Sequence, residues 1–242
     1  MFIFGGYDGI NRLNDFYEFN TENNTWQEVI YSGSGLPPSP RHSACALVYE
    51  GNMYLYGGYD GSCKSELHRF NFETNTWSEI KRRTSNHNWP KERYRTSCAL
   101  YKSMMCIYGG HDSVRQLNDF WLFDFKKMIW EEIKIKSNFK FNIIDNNSNT
   151  INTINNSNSI SNFNCVNNYS TNNSFNNNNN NNNTTKDSSN IPCMRDSHIT
   201  FCCKDSLFIH GGSSSNVYSS NSNGNFYVKS DLFEYNFSKY NI

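Results

Sequence analysis

Between residues 43 and 80 the chain carries four short runs in which apolar and polar positions follow the strand rule. Ser43 to Tyr49 is an apolar run of strand length. Asn52 to Tyr56 is rich in aromatics and ends on the pair Gly57-Gly58. Glu66-Leu67-His68-Arg69-Phe70-Asn71-Phe72 alternates with period two, and Thr76-Trp77-Ser78-Glu79-Ile80 alternates again. Successive side chains on a strand point to opposite faces, so such runs, with no competing 3.6 period, predict four strands. The breaks carry turn chemistry. Asp60-Gly61 suits positive φ, and Glu73-Thr74-Asn75 joins the last two strands as Glu22-Asn23-Asn24 does earlier.

The arrangement recurs along the chain. Glycine pairs stand at Gly5-Gly6, Gly57-Gly58, Gly109-Gly110 and Gly211-Gly212, at steps of 52, 52 and 102 residues. Trp26, Trp77 and Trp130 follow the second glycine by 20, 19 and 20 residues. Arg41, Arg93 and Arg195 each precede a first glycine by 16 residues. A four-stranded unit of about 50 residues buries too little surface alone and must stack on neighbours. Radial stacking protects the strand edges, which predicts an all-β propeller. The glycine pair fits a place where a neighbouring backbone comes close or φ is positive. The tryptophan is expected to supply apolar area between blades.

The sequence Gly-Gly, then an aromatic strand such as Phe16-Tyr17-Glu18-Phe19, then Asn-Thr-Trp resembles the Kelch motif. All four units carry the likeness. The fourth is more particular. It reads Ser206-Leu207-Phe208-Ile209-His210-Gly211-Gly212, a lengthened loop with Val217-Tyr218-Ser219-Ser220-Asn221-Ser222-Asn223, and then Asp231-Leu232-Phe233-Glu234-Tyr235. This resembles a blade of the leucine-zipper-like transcriptional regulator family, whose members are Kelch–BTB adaptors. The resemblance implies a non-catalytic protein-interaction module that recognises substrates for a Cullin-type ubiquitin ligase. A Kelch scaffold in cytoskeletal or small-GTPase signalling is the alternative. The implied partners are other proteins, and contact with a small GTPase or with Cullin-ligase components would pass through regions outside this chain.

The long third step has a plain cause. Residues 138–190 form an Asn/Ser/Thr tract with eight consecutive asparagines from Asn176 to Asn183, no glycine pair and no tryptophan. Such a composition cannot offset its ordering entropy, so the tract is expected to be a disordered insertion. The expected domain plan is three blades over 1–137, the insertion over 138–190, and a fourth blade over 191–242. The first blade is expected to lack its inner strand and the fourth its outer strand. About four blades, two complete and two partial, then make an incomplete ring, and the chain reads as a fragment of a longer protein.

Composition narrows the function. Lys+Arg 22 balances Asp+Glu 22, which leaves no electrostatic footprint for nucleic acid. The polar bulk comes from 41 asparagines. No apolar run is long enough to span a membrane, and no basic and apolar leader opens the chain. The expected location is cytoplasmic, including the cytosolic face of endomembranes. The eight cysteines show neither Cys-x-x-Cys nor zinc-finger spacing and read as reduced core residues.

Two groups of candidate residues emerge. Arg41, Arg93 and Arg195 share one phase. They are expected to be architectural, paired with the acid that opens the third strand, in the series Asp15, Glu66, Asp119 and Asp231. Loop residues that differ between blades are the partner-binding candidates. These are Tyr7, Asp8 and Arg12; Tyr59, Asp60, Cys63 and Lys64; His111, Asp112 and Arg115; and Tyr218 in the long 213–229 loop. An enzyme of the galactose-oxidase type would need paired histidines and tyrosines around copper. His42, His68, His87, His111, His198 and His210 occupy different phases with no paired spacing. The expectation is therefore no catalytic residues, no metal and no cofactor.

Overall fold

A computed structural model describes residues 1–31, 33, 35–82, 88–134, 142–143, 192–215 and 226–240. The alternating runs fold as antiparallel strands throughout. The first unit is a three-stranded sheet of β1 (Phe2–Tyr7), β2 (Arg12–Asn20) and β3 (Thr25–Glu28). The second holds β4 (Cys45–Tyr49), β5 (Asn52–Tyr56), β6 (Leu67–Asn71) and β7 (Thr76–Ile80), paired in that order. The third repeats it with β8 (Ser97–Tyr101), β9 (Met104–His111), β10 (Gln116–Asp124) and β11 (Ile129–Glu132). The inner strands β4 and β8 run side by side across two units.

One hairpin design serves three blades. A side-chain oxygen at the end of the third strand accepts backbone hydrogen bonds from the turn. Asn71 Oδ1 takes them from Glu73 and Thr74 at 3.0 and 2.8 Å, and Asp124 Oδ1 from Lys126 and Lys127 at 2.8 and 3.0 Å. Asn20 Oδ1 takes one from Glu22 at 2.8 Å.

The fourth unit departs from expectation. Its own strands are β13 (Ile199–Cys203), β14 (Ser206–His210) and β17 (Leu232–Asn236), and β13 lies beside β8. Its outer edge, expected to be empty, is occupied by a two-residue strand, β12 (Asn142–Ile143), which pairs with Glu234 and Phe233. That strand comes from the head of the tract expected to be disordered. The exposed ladder edge of β17 needs partners for its N–H and C=O groups, and this segment supplies them although it carries no tryptophan. The remainder of 138–190 lies outside the described residues. The long loop after Gly212 begins and ends as a small hairpin, β15 (Ser213–Ser215) with β16 (Phe226–Val228).

The core lies between blades. Phe16 of the first packs with Met53, Phe70 and Trp77 of the second. Tyr56 and Leu67 of the second meet Ile107, Phe123 and Trp130 of the third. Tyr108 and Phe120 of the third meet Leu207, Ile209 and Tyr235 of the fourth. Trp77 and Trp130 are thus buried between blades. Trp26 does not follow: it is 50% exposed and, among the described rings, lies against Phe19 of its own sheet alone, because no described blade covers that face.

Candidate partner-binding face

Each repeat arginine joins two blades. Arg93 donates its backbone N–H to Lys64 O of the second blade at 2.8 Å, and its carbonyl accepts from Gly58 at 2.9 Å. Its side chain turns into the third blade, to Gly109 O at 2.9 Å and to Asp119. Arg41 and Arg195 do the same. Their carbonyls accept from Gly6 and Gly110 at 2.9 Å, and their guanidiniums reach Glu66 and Asp231. The first glycine of three of the four pairs is fixed by this contact. A Cβ on Gly57 would stand 2.6 Å from Arg93 O, at a φ of +71°. Gly5 and Gly109 meet the Arg41 and Arg195 carbonyls in the same way.

These staples bring the loops of three blades onto one face. The residue after each of the first three glycine pairs, Tyr7, Tyr59 or His111, lies beside the residue after a repeat arginine, His42 or Tyr94. Backbone bridges join His42 to Tyr59 and Tyr94 to His111. The result is a continuous ring ladder. Centroids step 5.8 Å from Tyr7 to His42, 5.6 Å to Tyr59, 5.4 Å to Tyr94 and 5.5 Å to His111. Two cations flank it. The Arg12 guanidinium lies 5.1 Å from the Tyr59 ring centre, and that of Arg95 lies 5.3 Å from Tyr94. Burial, with Arg12 and Arg95 nearby, pushes the His42 imidazole below its usual range, so this histidine is neutral at pH 7.

The loop acids serve the loops themselves. Asp8 Oδ1 accepts from the backbone of Ile10 and Asn11 at 2.7 and 2.6 Å, and Asp112 Oδ1 from Val114 and Arg115 at 3.0 and 2.8 Å. Arg115 lies 4.0 Å from that carboxylate. Asp60 is held by Lys64 and Ser39, both at 2.8 Å. Burial would raise its carboxyl, but those donors outweigh it and bring the pKa to about 2. Cys63 faces Ser113 Oγ of the next blade at 2.8 Å. Tyr218 lies outside the described residues.

Tyr7, Tyr59, His111 and Arg12 are therefore brought together, while Asp8, Asp60, Lys64, Asp112 and Arg115 form the turns beneath them. Sequence reasoning missed His42, Tyr94 and Arg95 as members of this face. The signal available was their phase, one or two residues after a repeat arginine. Between Ile10, Arg12, Pro40 and Asp60 the face opens into a cleft of about 300 Å³. Among the described residues no three His, Cys, Asp or Glu side chains converge as a metal site would require, and no helix is long and apolar enough to cross a membrane.

The repeat phase, the four-stranded sheets and the interblade glycines agree with a match to the KLHDC2/KLHL20/DRC7 Kelch-repeats domain over residues 1–142. The chain belongs to the Kelch-repeat family. Among named relatives, the leucine-zipper-like transcriptional regulator 1 homolog of Drosophila melanogaster is 32% identical over 142 residues, covering 55% of this chain and 14% of that protein. Human Kelch domain-containing protein 10 is 28% identical over 142 residues, 56% of this chain and 32% of its own length. The Rho GTPase-activating protein gacHH of Dictyostelium discoideum is 29% identical over 121 residues, 47% of this chain and 8% of its own. The chain thus spans less than a third of each of these relatives. The Kelch-repeat domain is a protein-interaction fold, and it extends here into a fourth unit built on Arg195, Gly211 and Asp231.

Proposed function

We propose that this chain is a non-catalytic recognition module that binds a partner protein across the Tyr7–His42–Tyr59–Tyr94–His111 ladder. The observation that carries the reading is the ladder's continuity over three blades. Tyrosine and arginine are among the side chains that dominate interface energetics, and here they share one face. The finer reading is substrate recognition in a Cullin-type ubiquitin-ligase adaptor. It is supported by the likeness to the leucine-zipper-like transcriptional regulator homolog. The likeness to a protein named as a Rho GTPase-activating protein favours the second reading, a scaffold in small-GTPase signalling.

The test is affinity purification of the tagged protein from its own cells, with quantitative mass spectrometry. Tyr59→Ala with Tyr94→Ala removes the centre of the ladder, and Glu22→Ala with Glu73→Ala changes exposed hairpin turns as a control. Partners lost with the first pair and kept with the second support the module. A cullin among the retained proteins selects the ligase reading, and a Rho-family GTPase selects the other. An identical partner set for all variants excludes the ladder as the binding face.

A further inference from the structure

Three phase-equivalent residues stand six positions after the second glycine: Arg12, Lys64 and Gln116. Two have an acidic partner. Lys64 pairs with Asp60 at 2.8 Å. Gln116 Nε2 donates to Asp196 Oδ2 at 2.7 Å, and that buried carboxylate also accepts from the Ser197 and Ser213 hydroxyls at 2.9 and 3.1 Å. Asp196 follows a repeat arginine, the place held by His42 opposite Arg12. Arg12 therefore faces an imidazole where Gln116 faces a carboxylate. Among the described residues it forms no ion pair, and its Nε is buried with no acceptor. The nearby carboxylates are committed: Asp8 to its turn and Asp60 to Lys64 and Ser39. Arg12 lines the cleft beside the ladder.

Resting on the proposed reading of this face, we infer that the partner supplies the missing acceptor, as an Asp or Glu side chain on an extended segment laid along the ring ladder with its carboxylate on Arg12. An arginine that lies on an aromatic ring and retains unused donors is disposed for charge-assisted bonding to a carboxylate. Arg95, whose guanidinium is half exposed and 4.0 Å from Asp196, adds a second positive charge to the same path. Four ring steps correspond to roughly seven residues of extended chain. Tyr59 and Tyr94 offer the apolar area between the charges, so the favoured ligand alternates acidic and apolar residues.

The test is selection of a phage-displayed random dodecapeptide library on the immobilised full chain. Recovered peptides are then synthesised with amidated C-termini, so that any carboxylate is a side chain. Fluorescence anisotropy with labelled peptides is expected to show at least tenfold weaker binding when the acidic residue becomes its amide. The same loss is expected for Arg12→Gln, with partial recovery in Arg12→Lys and none of the loss in Lys126→Gln. Among the described residues Arg12 makes no ion pair and Arg12→Gln removes only its contact with the Tyr59 ring, so a cooperative melt with a midpoint close to that of the parent is expected and excludes misfolding. The inference is overturned by any of four results: no peptides selected, selected peptides without acids, acidic peptides that bind the parent and Arg12→Gln alike, or binding that requires a free C-terminus. Partners that depend on Tyr59 and Tyr94 but not on Arg12 would leave the recognition face standing while removing the carboxylate.

Discussion

The Arg93 guanidinium and the Asp119 carboxylate meet by two parallel hydrogen bonds, of 2.6 and 2.7 Å, with the arginine wholly buried between two blades. Arg195 and Asp231 repeat the pairing at 2.7 and 2.9 Å. Arg41 reaches Glu66 by a single bond of 3.3 Å, and that carboxylate is 35% exposed. The difference shows in the charge balance. Burial pushes Arg41 below its ordinary value, whereas for Arg93 and Arg195 burial acts the same way but the carboxylate bonds outweigh it and raise both.

Asp119→Asn leaves a buried guanidinium without its counter-charge, and the expected loss is ~3–5 kcal/mol. Glu66→Gln is expected to cost about 1 kcal/mol or less, because that pair is partly solvated. Urea unfolding of the two variants measures the difference. Equal losses would show that the staples are interchangeable.

Gly57 and Gly51 separate the two reasons for a glycine. Their φ angles are +71° and +69°, but a Cβ on Gly51 meets nothing within 4 Å. Gly51→Ala is expected to cost only the left-handed backbone penalty, about 1–2 kcal/mol. Gly57→Ala adds a clash with the Arg93 carbonyl and is expected to cost clearly more and to loosen the second blade from the third. Matching midpoints for the two variants would mean that the blades move apart at no cost.

Most of the architecture was legible because it repeats. A tryptophan, an arginine and a glycine pair in one phase over several units specify four strands and a stacked core without any single residue deciding. What escaped depends on which residues become neighbours, even where the phase was visible. Trp26 has the sequence surroundings of Trp77, yet its exposure follows from what lies against its sheet. Asn142–Ile143 is two residues in a polar tract, with no pattern to distinguish an edge strand. The ladder escaped for a third reason. His42 and Tyr59 are 17 residues apart in different phases and meet only through an interblade backbone bridge. Tyr7, Tyr59 and His111 were visible as loop residues, but the surface they form was not.

Two buried histidines give the fold an acid limit. Burial, then the charge of Arg41, brings the His68 pKa down to about 4, and burial, then Arg195, does the same for His198. The unfolded value is about 6.5, so protonation favours the unfolded chain. Their contribution is fully present above pH 6.5 and is lost as the pH falls from there towards 4, by up to about 1.4 kcal/mol per pH unit for each group. Urea midpoints measured between pH 7.5 and 5 are expected to decline, and His198→Gln to decline less steeply. A slope that His198→Gln leaves unchanged would count against this assignment.

The first and fourth sheets each turn an apolar face outward. Ile3 and Trp26 share one face of the first sheet, opposite Phe4 and Phe16, and are 46% and 50% exposed. Ile199 and Phe201 share one face of the fourth, opposite Leu207 and Ile209, and are 58% and 44% exposed. Phe201 stacks on Phe208 with ring centres 5.0 Å apart. Contiguous exposed apolar area of this kind drives association, and unpaired strand edges reinforce it. The isolated chain is therefore expected to self-associate at micromolar concentration. Size-exclusion chromatography with light scattering should give a mass above 28.1 kDa that rises with concentration. Ile199→Lys with Phe201→Lys places charge on one face only and should lower that mass without reducing the β-sheet circular dichroism, because neither side chain points into the core. Trp26→Lys should act likewise on the other face, and the triple variant should approach a monomer. A parent chain that stays monodisperse at the monomer mass over the whole concentration range would mean that these two faces cover each other.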